Sequence, residues 1–478
     1  MESFASPSRR QLLRQAACGF GYTALAGMLQ QEALASSNPL QPRDGHHAAK
    51  AKRVIFMFMQ GGPSQMETFD YKPRLDADHG KPSPFQRDSK TEQPGVAKMS
   101  LFGSGWKFAR HGRSGTWVSE LFPHMAGVID EFCVLKGMHT DNLAHAPASL
   151  QLHTGFTNLA QPSMGSWVVY GLGTENRNLP GYITISHPTS GDTGSPQHYS
   201  SAYLPAITQG TNLDLPRQDG AAARLPNLQD PDIPKSIQKQ QLDFVQKLNR
   251  DQLAHSGTDP QMEGMVQSFE LAFRMQTEAP ALFNLDDETD ATKKLYGIGG
   301  KETDYFGRQC LLARRFAEAG VRFIQVNATG WDHHSRIRAN LPRNSAQVDQ
   351  PVAGLIRDLK SRGMLEETLI VWTGEFGRTP YEQDLSNGKS NRDTYGRGHN
   401  PFGFTTLLAG GGIQGGLSYG ETDDYGYRAV RNKVHLHDLH ATILHLLGLD
   451  HETLTYRHSG RDFRLTDVYG EVVRDILA

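Results

Sequence analysis

The feature that most constrains this chain is an alternation near its middle. A helical stretch at about 302–319 runs through Gly320 into an apolar run at 321–327, and a further helical stretch at about 346–362 leads to a second apolar run at 369–373, LIVWT. Short runs rich in Val, Ile and aromatic residues have the length and composition of buried strands, and Gly320 is a common helix-stop residue. Strand, helix, strand order implies right-handed crossovers and parallel neighbours. Residues 53–59 (RVIFMFM) read as the first central strand, and 404–409 (FTTLLA) as a neighbour of 369–373. The expected fold is therefore α/β, with a central, mostly parallel sheet flanked by helices on both faces.

Composition agrees with one large globular domain: 37% of the 478 residues are hydrophobic and 21% charged. The formal net charge is -2 with both signs spread along the chain, which excludes the basic footprint of a nucleic-acid binder. Cys18, Cys133 and Cys310 have no metal-ligand spacing. Near the N-terminus, Arg9-Arg10 precede a Gly/Ala-rich apolar run at 16–29, and Ala33-Leu34-Ala35 offers small residues for cleavage. This resembles a twin-arginine export signal, and its apolar run is shorter than the ~20 residues that span a bilayer. The expected organisation is a signal peptide at 1–35, a linker at 36–52 and one α/β domain at 53–478. The mature chain would have no transmembrane segment and would be periplasmic or extracellular.

In an α/β sheet, ligands are held by loops leaving the carboxyl ends of strands, so the strand ends supply the candidates. The first strand runs into Gln60-Gly61-Gly62-Pro63, with Glu67 and Asp70 as the nearest acids. A strand at 132–135 is followed by His139, Asp141, His145, Ser149 and His153; the run at 321–327 by Trp331-Asp332-His333-His334; and the run at 369–373 by Glu375, Arg378, Asp393, Arg397 and His399. Elsewhere, 74–116 reads as a surface excursion, 118–129 as a helix, 163–173 as a helix, 182–185 as a strand and 187–232 as irregular. Helices are expected at about 235–252 and 261–276. His435, His437, His440 and His445 fall in an amphipathic stretch with Leu439, Ile443, Leu444 and Leu447, which favours a packing helix over a metal cluster.

Four of these segments, in order, resemble the alkaline phosphatase and sulfatase superfamily, in particular a family of twin-arginine-exported, sulfatase-like bacterial proteins. His145-Ala146-Pro147-Ala148-Ser149 with Thr154-Gly155 resembles the sulfatase Cys-x-Pro-Ser-Arg and Thr-Gly segment, with His145 at the cysteine and Ser149 at the arginine. Thr373-Gly374-Glu375-Phe376-Gly377 resembles the metal-binding Thr-Ser-Asp-Asn/His-Gly strand, with Phe376 at the second ligand. Gly330-Trp331-Asp332-His333-His334 resembles the family's Gly-Trp-Asp-x-His motif, and HDLHATILHLLG its Asp-Leu-x-x-Thr-Leu-Leu helix. The superfamily's aspartate after the first strand has no counterpart in Gln60-Gly61-Gly62.

The resemblance implies an alkaline phosphatase-like fold and a metal-dependent hydrolase of phosphate or sulfate esters, without formylglycine. Asp332, His334, Glu375 and His399 are the expected metal ligands, and His145, Ser149 and Arg378 the expected catalytic residues, with Arg378 or Arg397 gripping the anion. Mixed carboxylate and imidazole ligands suit Zn, Mn or Fe better than Ca. The expected partner is an anionic ester, such as a sulfated or phosphorylated saccharide. Two alternatives stand beside this: Glu375 and Asp332 form ordinary ion pairs with Arg378 and Arg336, or the chain is a catalytically degenerate binding or scaffold protein of the cell exterior.

Overall fold

A computed structural model describes residues 40–85, 100–186, 195–217, 223, 234–256, 260–383 and 394–478. The expected signal peptide and Asp393 lie outside these residues.

The core is a nine-stranded sheet. Its strands are β1 Arg53–Met59, β2 Phe132–His139, β3 Tyr182–Ser186, β4 Thr211–Asp214, β5 Phe323–Ala328, β6 Thr368–Thr373, β9 Phe404–Ala409, β10 Leu417–Tyr419 and β11 Val434–His435; β7 Gly377–Gln383 and β8 Gly396–Asn400 form a separate ribbon. The order is β10-β2-β9-β6-β1-β5-β3-β4, with β11 also paired to β2. β1 is parallel to both β5 and β6, with Met57 opposite Val326 on one side and Trp372 on the other.

Residues Val54 to Met59 of β1 are fully buried, so both faces of the sheet centre are covered. Phe56 and Phe58 point to one face, where Phe58 packs edge-on to His153 at 4.8 Å on helix α1, His145–Thr154. Met57 and its register partner Trp372 point to the other face, where Trp372 meets Phe69 at 5.7 Å and Trp331 at 6.0 Å. The remaining long helices are α2 Met164–Leu172, α3 Lys235–Ser256, α4 Pro260–Phe283, α5 Asp304–Glu318, α6 Ile337–Ser361 and α7 Leu436–Leu446. The sheet is mixed, mostly parallel and flanked by helices, as the alternation implies.

Five expectations need correction. β9 is antiparallel to both β6 and β2, so its amino end, not its carboxyl end, meets the carboxyl ends of the parallel strands. The stretch 118–129 is not one helix: Pro123 has no N–H to continue a helical ladder, and it instead opens a four-residue turn, Pro123–Ala126, after a strand at Thr116–Ser119. β4 lies within the stretch read as irregular, because TNLD is too polar to resemble a buried strand. Part of 74–116 is interior, since Leu101, Phe102 and Ser104 are buried. Finally, α6 begins well before 346, and Pro342 within its early turns hides that part from a helical pattern.

Candidate metal centre

Four side chains from three loops meet at the carboxyl edge of the sheet. His145 opens α1 after β2, Asp332 and His334 follow β5, and His399 lies on β8 just before β9. One ligand atom from each, an imidazole nitrogen or a carboxylate oxygen, falls within 4.8 Å of all the others. Local packing explains the convergence. Trp331, 1% exposed, anchors the β5 loop against the sheet, and β8 pairs with β7 so that His399 stands opposite Arg378.

The hydrogen bonds fix which nitrogen of each ring faces inward. His145 Nδ1 donates to Glu375 Oε1 at 2.6 Å, His334 Nδ1 to Gln383 Oε1 at 2.5 Å, and His399 Nδ1 to the Leu143 carbonyl at 2.6 Å. Each acceptor is an oxygen without a proton to give, so each Nδ1 carries the hydrogen. The three Nε2 atoms then face Asp332: His145 at 3.2 Å from Oδ2, His334 at 3.0 Å and His399 at 3.3 Å from Oδ1. Metal-bound histidines are oriented in this way, the outer nitrogen donating to a carboxylate or carbonyl and the inner lone pair left for the ion.

Electrostatics points the same way. Burial pushes the His399 imidazole down to about 3, against the opposing pull of Asp332, and burial together with the Arg378 charge lowers His334. Both are neutral at neutral pH, as ligands must be. Burial also acts to lower His145, but hydrogen bonds to Asp332 and Glu375 outweigh it and hold the pKa up at about 9. Burial acts to raise Asp332; the hydrogen bond from His145 and the Arg378 charge outweigh it and keep the carboxylate well below its usual range. The four groups could hold a metal ion, and a proton on His145 Nε2 is the one that it would replace.

The other expected site residues take different places. Glu375 is fully buried and faces the back of His145, its two oxygens accepting from the Gly61 N–H at 3.0 and 3.1 Å; it orients the His145 ring instead of joining the four. Arg378, expected to grip an anion, is fully buried with its guanidinium committed to the Asp332 carboxylate at 2.7 Å and to backbone carbonyls. Arg397 is likewise buried, paired with Glu67 and donating to the Phe102 carbonyl at 2.6 Å. Ser149, one turn after His145, is buried with its hydroxyl unpartnered, so no base among the described residues activates it as a nucleophile. Asp332 pairs with Arg378, not Arg336. Asp70 pairs with Lys72 at 3.0 Å, away from the four ligands.

The C-terminal histidines support packing. His437 and His440 donate to the Gly155 and Leu152 carbonyls, each at 2.7 Å, and His435 caps α7. Cys133 is buried inside β2, where burial pushes its thiol up to about 12.

The turn after β1 needs its two glycines. Gly61 and Gly62 have φ of +113° and +76°, and a Cβ would come within 2.5 Å of the Asp332 nitrogen at Gly61 and 2.7 Å of the Phe376 ring at Gly62. Only glycine combines these angles with so close an approach. The turn at the end of β1 is therefore formed by backbone alone.

Fold and site together define a mixed α/β protein with a candidate metal centre of three histidines and one aspartate at the sheet's carboxyl edge. The chain belongs to the family described as Protein of unknown function (DUF1501), whose model matches residues 51–477. Among curated proteins, none matches the sequence. Among solved structures, it is similar to the lipoteichoic acid synthase LtaP from Listeria monocytogenes, with 10% identity over 89% of this chain and 78% of that one, at a TM-score of 0.37. It is also similar to the PsFucS1 sulfatase from Pseudoalteromonas sp. (13% identity, 88% and 72% covered, TM-score 0.34). A third is the alkaline phosphatase from the Antarctic bacterium TAB5 (11% identity, 83% and 98% covered, TM-score 0.32).

Proposed function

We propose that this protein is an exported, metal-dependent hydrolase of phosphate or sulfate esters that works without formylglycine. One observation carries the reading: three imidazoles and a carboxylate present ligand atoms within 4.8 Å of one another, with the outer nitrogen of every ring held by an acceptor. His145, Asp332, His334 and His399 fit a divalent Zn, Mn or Fe ion better than Ca, whose ligands are oxygens. An ion bound there would polarise an ester oxygen or activate water. The chain's own part is to keep three rings in the ligating tautomer, to hold Asp332 ionised, and to bury the carboxylate of Glu375 behind His145. His145 then serves as a ligand, with neither ring nitrogen free to act as a nucleophile.

The ester class rests on the motif resemblance through Pro147, Thr154-Gly155 and Gly330-Trp331-Asp332, and a sulfated or phosphorylated saccharide is the substrate class we favour. Export rests on the Arg9-Arg10 segment. No helix among the described residues is long and apolar enough to cross a membrane.

The deciding experiment measures metal content of the purified chain and hydrolysis of chromogenic phosphate and sulfate esters, for the wild type and for His145→Ala, Asp332→Asn, His334→Ala and His399→Ala. Metal and turnover should fall together in all four. Bound metal without turnover would favour the scaffold reading, which the engagement of Arg378 and Arg397 inside the protein supports. If all four variants kept wild-type metal, the centre would be misassigned.

A further inference from the structure

Beside the four ligands lies a second convergence of oxygens, already filled. The carbonyls of Gly61, Gly62, Trp331 and Arg397 and the Oδ1 of Asp332 all accept from the Arg378 guanidinium: Nε to Gly62 O at 2.9 Å, one terminal nitrogen to Arg397 O at 3.2 Å, and the other to Gly61 O, to Trp331 O at 3.4 Å and to Asp332 at 2.7 Å. The guanidinium is fully buried, and the Phe376 ring, 5.8 Å from its carbon, closes one side. Backbone carbonyls with a carboxylate oxygen, arranged around one guanidinium, are the donor types that a hard cation takes. The protein has placed an organic cation there, one that cannot give up its proton.

We propose that Arg378 is a built-in cation standing in for a second metal ion, so that the centre takes one divalent ion per chain, with the guanidinium as its fixed partner charge. The inference rests on the metal-centre reading above and goes beyond it, to the number of ions and to a positioning role for Arg378. Charge argues for it. Counted formally, Asp332 and Glu375 bring two carboxylates to the site against the one guanidinium of Arg378. One divalent ion turns this into a modest positive charge suited to an anionic ester, whereas a second would leave several uncompensated positive charges close together. Geometry argues for it as well. Asp332 Oδ1 accepts from Arg378 and lies 3.0 and 3.3 Å from the Nε2 atoms of His334 and His399, so the guanidinium fixes the carboxylate around which the rings are arranged. Gly61 and Gly62, lacking side chains, let two carbonyls reach the guanidinium.

The test is metal binding by the full chain, independent of turnover. Equilibrium dialysis against Zn2+ and Mn2+, read by elemental analysis, should saturate at one tightly bound ion per wild-type chain. Two tightly bound ions would overturn the inference while leaving the metal-centre reading intact; none would overturn both. Arg378→Ala should weaken metal affinity about ten- to a hundredfold, the cost typical of losing a group that orients a ligand. Guanidinium ion at non-denaturing concentration should restore most of that loss, and an equal concentration of sodium chloride should not. If Arg378→Ala fails to fold, Arg378→Lys and Arg378→Met separate charge from shape: lysine should bind metal more tightly than methionine. Wild-type affinity in Arg378→Met would overturn the proposal.

Discussion

Glu375 shows how one residue can belong to the site without touching what the site holds. Its carboxylate fixes the His145 ring from behind and is itself held by the Gly61 amide. Glu375→Gln keeps an oxygen for the Gly61 N–H but removes the charge that strengthens the bond to His145. We expect metal affinity to fall about ten- to a hundredfold, while the unfolding midpoint in denaturant moves little; competition with a chromogenic chelator would measure the first and fluorescence the second. Unchanged affinity would mean that Glu375 is packing only. The sequence offered Glu375 as a ligand because a carboxylate at a strand end looks the same whether it faces an ion or the back of a ligand. For the same reason Arg378 read as an anion grip: the pattern gives its position but not the five oxygens that consume its donors. Asp332, His334 and His399 were legible as neighbours because each stands beside a strand whose place in the sheet the apolar runs reveal; His145, expected as a catalytic residue, falls beside them in the place expected for Glu375.

At the level of elements, α7 carries a testable debt to pH. Burial, with a smaller contribution from His437, pushes His440 down to about 3, against ~6.5 in an unfolded chain. Above pH 6.5 both states are neutral there and stability does not respond. Between about pH 6.5 and 3 the unfolded chain binds a proton that the native chain refuses, so stability should fall by roughly 1.4 kcal/mol per pH unit for this one group. His153, fully buried and also pushed down, adds a slope of the same sign. Urea unfolding of wild type and His440→Gln at pH 7, 6, 5 and 4 would check it: the variant, which can still reach the Leu152 carbonyl, should lose less stability on acidification. Equal slopes would show that His440 takes up its proton in the native state. Elements were legible wherever burial on both faces demanded continuous apolar runs, as in β1, β6 and β9. They were not where other chemistry intervened: glycines, a proline and charged residues break the alternation of β7 and β8, prolines interrupt α6, and β4 at the sheet edge is polar.

On the scale of the whole molecule, the centre exists only when the fold is complete. Its ligands span from His145 to His399 and come from β2, β5 and β8, and His399 reaches the edge because β9 runs against its neighbours. A site of this kind suits an export route that carries proteins already folded. Changing both Arg9 and Arg10 to lysine should therefore leave the full-length precursor in the cytoplasm, with its metal centre formed; cell fractionation with an immunoblot, and metal analysis of the cytoplasmic form, would show it. Continued processing after Ala35 would mean that the segment is not the address we read.

The turn after β1 has a consequence for how such a protein can change. At the middle of the sheet, where a side chain would be best placed to alter the chemistry, the chain offers only peptide groups from Gly61 and Gly62, and any larger residue collides with Asp332 or Phe376. The floor of the site is thus written in backbone and closed to single substitutions. New specificity has to arise from the walls, in the loops after β2 and β5 and in the ribbon that carries His399.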